Sequence, residues 1–319
     1  MPPILTIRNI SLSQVDFDDF SYSISPKHEI EIDETLRRSI TRYGILHPPI
    51  VRENNSGLYS IVAGRKRLYA LRSLQKKETC CCLTLSRQAP RIEVFRILLA
   101  EVQLDRQLTI VEKAIFLQKI TPIADERQVA KEFMPRLNLA PDTFTMKQTL
   151  KLLELEDPII LGMQHGYVNE TIAHDFISMS VRDRATLFEI IELLRPSFSN
   201  QKKLINICRE LAGRENTSIA ALLDNHEVCA ILHHQDANPP QKTKNLMTWL
   251  SRKHKPRTLL AEEEFSRFVS AIRLPKNVSV AHTPFFEDDA VTLAITFRNR
   301  ESLQKIWKKI KHATRDNDN

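Results

Sequence analysis

Six glycines in 319 residues, at Gly44, Gly57, Gly64, Gly162, Gly166 and Gly213, set the first limit on what this chain can fold into. Folds that bring backbone against a pyrophosphate need clustered glycines, as in G-x-G-x-x-G or G-x-x-x-x-G-K. No two of the six stand two positions apart, and none opens the second pattern. Dinucleotide-binding and P-loop folds are excluded. An apolar share of 42% is enough for ordinary soluble cores. No run approaches ~20 uninterrupted apolar residues, so no spanning helix is expected. The segment Met1-Pro2-Pro3-Ile4-Leu5-Thr6 lacks the basic start and apolar stretch of a secretory signal. A cytoplasmic protein without a membrane partner is expected.

The chain carries a net charge of +7. Its distribution says more than its size. Lys242, Lys244, Arg252, Lys253, Lys255 and Arg257 fall between Gln241 and Leu260 with no acid among them. Such a field attracts polyanions, and a solvated linker has the same composition. The five cysteines give no catalytic signal. Cys80, Cys81 and Cys82 are consecutive, so in a strand they alternate faces rather than close a tetrahedral zinc site. His233-His234 has no partner pair at ligand spacing.

The fold class expected is α+β: a small mixed N-terminal domain over 1–108, an all-helical domain over 109–223, and a small α/β module over 224–319. Asp33 caps a helix over Glu34–Tyr43 that Gly44 ends, with Leu36, Ile40 and Tyr43 on one face. Strands are expected from Pro48 to Arg52, Leu58 to Ala63 and Thr79 to Leu85, with Asn54–Gly57 as a turn. Helices follow from Arg65 to Leu74 and Arg91 to Leu104. Beyond Thr109 the periodicity is helical: Val111–Ile120, Asp125–Phe133, Asp142–Leu155, Asn169–Met179, Ser180–Leu194, Ser199–Leu211 and Thr217–Leu223. Leu187, Ile190, Ile191 and Leu194 read as a core stripe, and Ser180 with Asp183 as a capping pair. Asn238-Pro239-Pro240 marks a boundary, followed by a helix over Glu262–Ile272. Two alternating stretches, Asn277–His282 and Ala290–Phe297, flank an acidic turn at Glu287-Asp288-Asp289. A last helix over Ser302–His312 carries Lys305, Lys308, Lys309 and Lys311 around Ile306, Trp307 and Ile310.

Val62-Ala63-Gly64-Arg65-Lys66-Arg67 runs against helix electrostatics. A helix start has free N–H groups and partial positive charge, which acids or hydroxyls normally answer. Three cations there suit a bound anion, and phosphate is the commonest. Solvent-facing cations tolerated at slight cost are the plain alternative.

Gly44-Ile45-Leu46-His47-Pro48-Pro49-Ile50-Val51-Arg52, then Tyr59-Ser60-Ile61-Val62-Ala63-Gly64-Arg65-Lys66-Arg67-Leu68-Tyr69-Ala70, resembles the N-terminal domain of ParB-like partition proteins, where the second stretch reads roughly Y-x-I-x-A-G-E-R-R-x-x-A. A third family motif, a Glu-Asn pair, an Arg, then L-x-x-x-E-x-A, is matched in part by Glu101 to Ala114. The resemblance spans roughly Glu34 to Leu223. It implies a sulfiredoxin-like fold that binds CTP with a divalent ion (Mg) and closes as a homodimer on DNA. It implies that Gly64, Arg65, Lys66, Arg67 and Arg106 hold the triphosphate and that Glu101 helps hold the metal. Arg65 stands where the family has an acid, and Val102 where it has an Asn. Both departures argue against hydrolysis, since Val offers no ligand to a hard cation. The glycine loop holds no cysteine, which disfavours sulfiredoxin-type repair.

Residues Asp125 to Leu155 read as a helix-turn-helix, with Asp142–Leu155 as the recognition helix. Met146, Leu150 and Leu153 face the core. Thr143, Thr145, Lys147, Gln148 and Lys151 are the expected DNA-contacting residues, since Gln reads adenine edges and Lys and Thr contact phosphate or base. The connection Met134–Pro141 is longer than the family's. Leu150–Leu155 followed by Gly166–His174 matches the family's later pattern loosely, with His174 a packing residue. The expectation is a nucleoid-associated, double-stranded-DNA-binding protein of segregation, with a ParA-like ATPase as a partner. The alternatives are a transcriptional regulator with a degenerate nucleotide site, or a CTP-hydrolysing enzyme on the same scaffold.

Overall fold

The computed structural model describes residues 5–26, 32–74, 78–272, 278–283, 290–297, 299–301 and 303–304. The chain divides into two units, Met1–Gln201 and Lys202–Asn319.

In the first unit, strands β1 (Thr6–Ser11), β2 (Val15–Asp16), β3 (Ile50–Glu53), β4 (Tyr59–Ala63) and β5 (Thr79–Leu85) form a sheet of order β1-β5-β3-β4-β2. The β3–β4 hairpin closes on Asn54, whose Oδ1 accepts from the N–H groups of Ser56 and Leu58, both at 3.0 Å. β5 runs antiparallel to β1 and parallel to β3. Cys80 and Cys82 are buried and Cys81 is exposed, as the alternation required. Strand β1 had no signal in the sequence. It is an edge strand whose first four residues are exposed, so it shows no buried periodicity.

Three helices belong to this layer: α1 (Glu34–Tyr43), α2 (Arg65–Ser73) and α3 (Arg91–Asp105). Asp33 caps α1 through the Thr35 N–H at 3.0 Å, and Gly44, at φ 76°, ends it. Tyr43, expected on the inner face, is 60% exposed, while Ile40 is buried. One face of the sheet (Val51, Ile61, Cys80, Cys82) packs with Ile40, Leu68 and Leu71. The opposite face (Ile50, Val62, Leu85) packs with Phe95, Leu98 and Leu99 of α3.

That second core continues into the helical part. It takes in Phe116, Leu117 and Ile120 of α4 (Ile110–Ile120), Val129 and Ala130 of α5 (Glu126–Glu132), and Met146 of α6 (Thr143–Lys151). Tilted and edge-to-face ring contacts run in sequence from Tyr22 to Phe95 (5.5 Å), Phe116 (5.6 Å) and Phe133 (5.7 Å). The Arg96 guanidinium of α3 grips both carboxylate oxygens of Glu132 on α5, with Nη2 at 2.8 Å from Oε2. The long α5–α6 connection is packed: Phe133, Met134 and Leu137 are at most 1% exposed. Helix α6 stops at Lys151 and a 3₁₀ turn follows, so Leu152 rather than Leu153 becomes the buried residue.

Helices α7 (Asp157–Gln164), α8 (Glu170–Ile177) and α9 (Val181–Leu194) complete the unit. Asn169 and Ser180 cap α8 and α9, and Leu187, Ile190, Ile191 and Leu194 are buried together. Gly162 on α7 faces Phe188 of α9 so closely that a Cβ there would lie 2.4 Å from Cε2.

Past the unit boundary, which falls in the first turn of α10 (Phe198–Glu215), come α11 (Ile219–Leu223), α12 (His226–Leu232), α13 (Pro239–His254) and α14 (Pro256–Ile272). A hairpin of β6 (Val278–His282) and β7 (Val291–Ile295) follows. The sequence reading of Asn238-Pro239-Pro240 as a boundary is corrected. Asn238 is an N-cap in a capping box with Gln241, and the prolines occupy the first helical positions, where a missing N–H costs nothing. The basic stretch is therefore helical rather than a linker. Lys242 Nζ donates to the Leu232 carbonyl at 2.8 Å, and Lys253 lies over Trp249 at 4.7 Å. The expected acidic turn 287–289 and, apart from residues 303–304, the expected final helix, Lys305–Lys311 included, lie outside the described residues.

Candidate functional site

A cleft of about 620 Å³ opens beside the start of α2. Its lining brings together Gly64, Arg65, Lys66, Arg67, Glu101 and Arg106, residues that the sequence reading drew from two separate motifs. Tyr22, Ile24, Leu98 and Leu104 supply an apolar wall.

Gly64 is the N-cap of α2 at φ 83° and offers no side-chain cap, so the first N–H groups of α2 are uncapped by any side chain. The left-handed conformation and the crowding both demand glycine. A Cβ would lie 3.1 Å from Arg67 Cζ and from Pro49 Cα.

The cations of the first turn are not equivalent. The Arg65 guanidinium turns away from the helix start. It donates to the carbonyls of Phe17 (2.9 Å) and Asp19 and stacks over Phe20 at 4.4 Å. It fixes the rim of the cleft, helped by Tyr69 Oη on the Phe17 carbonyl (2.8 Å), Lys119 on the Phe20 carbonyl, and Arg52 on Tyr22 Oη (2.6 Å). Burial works to raise the Asp19 carboxyl pKa; hydrogen bonds from Ser21 and Ser60 and the nearby Arg65 charge together hold it below its ordinary value. Arg67 donates to the His47 carbonyl and to Glu101 Oε1, the latter at 3.2 Å. Lys66 is exposed and has no hydrogen-bond or ion-pair partner among the described residues.

Arg106 faces the cleft from the far side. Its guanidinium is bidentate on Glu112, Nη1 to Oε2 at 2.7 Å, and Glu112 is fully buried. Glu112 also closes the capping box of α4 with Thr109. Sequence reading took Glu112 only as a motif letter. Its burial, which makes Arg106 its obligatory counter-charge, has no signal in a single sequence.

Glu101 is a lone carboxylate, paired to Arg67 and followed by Val102. Among the described residues no three His, Cys, Asp or Glu side chains gather as a metal would need. The residues fit a phosphate group. They do not make a resident metal cage, because one carboxylate already paired with a guanidinium is a poor hard-cation site.

The second candidate surface is α6. Asp142 caps it, accepting from the Thr145 N–H at 2.7 Å and hydroxyl at 2.9 Å, and these bonds hold its carboxyl below the ordinary pKa. Met146 and Thr149 are buried. Thr143, Lys147 and Lys151 stand exposed, while Thr145 and Gln148 are half-buried. Lys147 Nζ lies 3.9 Å from Glu126 Oε2 on α5. Phe144, 71% exposed next to the cap, was missed. An apolar ring on an outer helix face is the signal that would have found it. His174 is half-buried, 3.8 Å from Glu170 of its own helix.

Residues 6–96 match the family model of the ParB N-terminal domain. That stretch is a ParB-like N-terminal domain. The chain is 28% identical over 159 residues to a nucleoid occlusion protein from Lysinibacillus sphaericus (strain C3-41), covering 50% of each chain. It is 25% identical over 164 residues to a nucleoid occlusion protein from Listeria monocytogenes serotype 4a (strain HCC23), covering 51% of this chain and 54% of that one. The chain thus spans about half the length of the curated relatives it matches. Two solved structures of the C-terminally truncated chromosome-partitioning protein ParB from Caulobacter crescentus also align. One is complexed to the centromeric parS site (20% identity, TM-score 0.34, 62% of this chain and 98% of that one). The other is complexed with CTP-gamma-S (19%, TM-score 0.25, 58% and 98%). Superpositions this loose carry no conclusion about this chain. No helix among the described residues is long and apolar enough to cross a membrane.

Proposed function

We propose that this chain is a sequence-specific DNA-binding protein of the nucleoid that reads double-stranded DNA through α5 and α6. The carrying observation is α6: its inner face is sealed in the core, while Thr143, Phe144, Lys147 and Lys151 line an exposed face. Met146 and Thr149 fix that face by burial, so the polar residues are held ready for a groove rather than adrift on a loop. In this reading Lys147 and Lys151 take phosphate or guanine, Gln148 takes adenine, and Thr143 and Thr145 take phosphate. The curated relatives' name, nucleoid occlusion protein, supports a place on the chromosome.

The cleft is proposed as a nucleotide site in which the first-turn N–H groups of α2, Lys66 and Arg67 receive phosphates. CTP is the candidate from the ParB resemblance, and a magnesium ion would arrive on its phosphates and be held by them, since Arg67 already engages Glu101. Bound there, the nucleotide would supply charge that draws on Lys66 and Arg67. Homodimer formation and a ParA-like ATPase partner belong to the same proposal, as do the sequence modules 1–108, 109–223 and 224–319.

The test is recovery of sheared host DNA on the purified chain, sequenced, with and without CTP and magnesium. A single locus that broadens with CTP supports a nucleotide-responsive segregation protein. Several sharp sites indifferent to CTP support the second reading, a regulator with a silent cleft. Arg65 tied to the Phe17–Phe20 rim and Glu101 tied to Arg67 favour that second reading. No enrichment over a basic control protein overturns both. Lys147→Ala and Gln148→Ala should each cost about 1–3 kcal/mol at the specific site.

A further inference from the structure

A second, smaller cavity of about 230 Å³ lies between the end of α3, the start of α4 and the α5–α6 connection. Gln103, Arg106, Lys113, Arg136 and Asn138 line it, and among the described residues no acid does. Small-molecule sites run to about 300–1,000 Å³, so this one is too small for a nucleotide and suits a single anionic group.

Its charge balance is uneven. Arg106 is already answered by Glu112. The Lys113 ammonium has no hydrogen bond or ion pair to any described residue. Glu170 is felt only at longer range, and burial pushes the ammonium pKa down. The Arg136 side chain has no hydrogen-bond partner among the described residues and is sensed electrostatically by Glu132. Two cations whose side chains make no hydrogen bond or ion pair among the described residues therefore line one concavity.

The cavity wall is fixed rather than loose. Leu137 is buried, and its N–H donates to the Phe133 carbonyl at 3.0 Å. The Asn138 N–H donates to the Pro135 carbonyl at 3.0 Å, with Asn138 at φ 54°. Gln103 Nε2 donates to the Arg136 carbonyl, tying α3 to this turn. Cations on rigid backbone beside a helix-turn-helix connection are what a backbone-positioning contact requires.

We infer that this cavity is a seat for one phosphate diester of the DNA backbone, held by Lys113 and Arg136, which sets the register of α6 in the groove. The inference rests on the proposed DNA-binding reading.

The test is a salt titration of full-length chain on a mixed-sequence DNA duplex, comparing wild type with the double variant Lys113→Gln/Arg136→Gln. Losing one neutralised phosphate flattens the slope of log K against log salt by about 0.9. Raising salt from about 50 to 200 mM then costs wild type about 3.5-fold more affinity than the variant. Specific and mixed-sequence DNA should be affected alike, and Lys113→Arg should keep the wild-type slope. An unchanged slope in a folded double variant, checked by its thermal midpoint, overturns the seat while leaving the α6 reading intact. If wild type binds no DNA at low salt, the parent reading fails first and the seat with it. If the double variant keeps its DNA slope but loses binding of CTP or inorganic phosphate, the anion is a free one and the DNA assignment is overturned.

Discussion

Replacing Gly64 by Ala tests the cleft and the fold together. At φ 83° an added Cβ strains the backbone by about 1–2 kcal/mol. The same atom would sit 3.1 Å from Pro49 Cα, which is backbone and cannot move aside cheaply. It would sit equally close to Arg67 Nε and Cζ, whose guanidinium is held by Glu101 and His47. Crowding adds about 1 kcal/mol, the low end for overpacking. Gly57→Ala is the matched control: its φ is 77° and nothing lies within 4 Å of the new Cβ. Both variants share the backbone strain and the lost freedom of glycine in the unfolded chain, so their difference isolates crowding. At roughly 2–4 °C per kcal/mol, Gly64→Ala should melt about 2–4 °C below Gly57→Ala. All five tyrosines lie at or before Tyr167 and both tryptophans at or beyond Trp249, so tyrosine near-ultraviolet circular dichroism follows the first unit and tryptophan fluorescence the second. Calorimetry with CTP is the second readout. Displacing Arg67 removes a charge-assisted hydrogen bond worth about 1.5–3 kcal/mol, or at least a tenfold loss in affinity. Equal melting of the two variants refutes the crowding argument. Undiminished CTP binding by Gly64→Ala removes the α2 start from the site.

Gly162→Ala should destabilise the first unit by about 1–3 kcal/mol, because its Cβ would overlap Phe188 Cε2 at 2.4 Å, and Phe188→Leu should recover part of the loss in a tyrosine-detected melt. Stability should fall in acid. Hydrogen bonds from Arg96 and Arg184 hold the Glu132 and Glu156 carboxyls below their ordinary value of 4.5. Their contribution is therefore complete above that value and lost as pH falls through the lower folded one. Urea midpoints taken down the acid range should drop less for Glu156→Gln than for wild type, and parallel curves would refute the pairing. Arg106→Gln should cost close to the low end of about 3–5 kcal/mol, since it strands the buried Glu112 carboxylate while the lost guanidinium was itself half exposed. Adding Glu112→Gln should restore much of that loss.

The parts legible in the sequence were those with a local cause. Asp33 and Ser180 cap helices because their side chains reach N–H groups two or three residues on. Gly44 ends α1 because it takes a positive φ. Cys80 to Cys82 alternate because strand geometry leaves no other choice. The α2 start was legible as an anomaly, three cations where acids belong, and the fold brings those residues to one cleft with Glu101 and Arg106. What was not legible depends on distant partners. β1 is a strand because β5 offers it an edge. Asn238-Pro239-Pro240 reads equally as a break and as a helix start, and only the Gln241 side chain returning to Asn238 decides between them. Nothing local says that Arg65 turns to the Phe17 carbonyl, or that the α5–α6 connection buries Met134 and Leu137.

Arg106 is where the two cavities and the helical domain meet, and the magnitudes decide how it can act. It lines both cavities and neutralises Glu112, the buried member of the α4 capping box. An anion that drew Arg106 off Glu112 would leave a carboxylate unpaired in the core, a cost of several kcal/mol. A phosphate contact returns about 1.5–3 kcal/mol. The exchange is unfavourable, so Arg106 stays on Glu112 when either cavity fills. In the proposed sites, recognition would then fall to the other groups: Lys66, Arg67 and the α2 N–H groups in the cleft, Lys113 and Arg136 in the smaller cavity. The motif's arginine thus works through position, holding the α3–α4 junction so that both sets of cations keep their places.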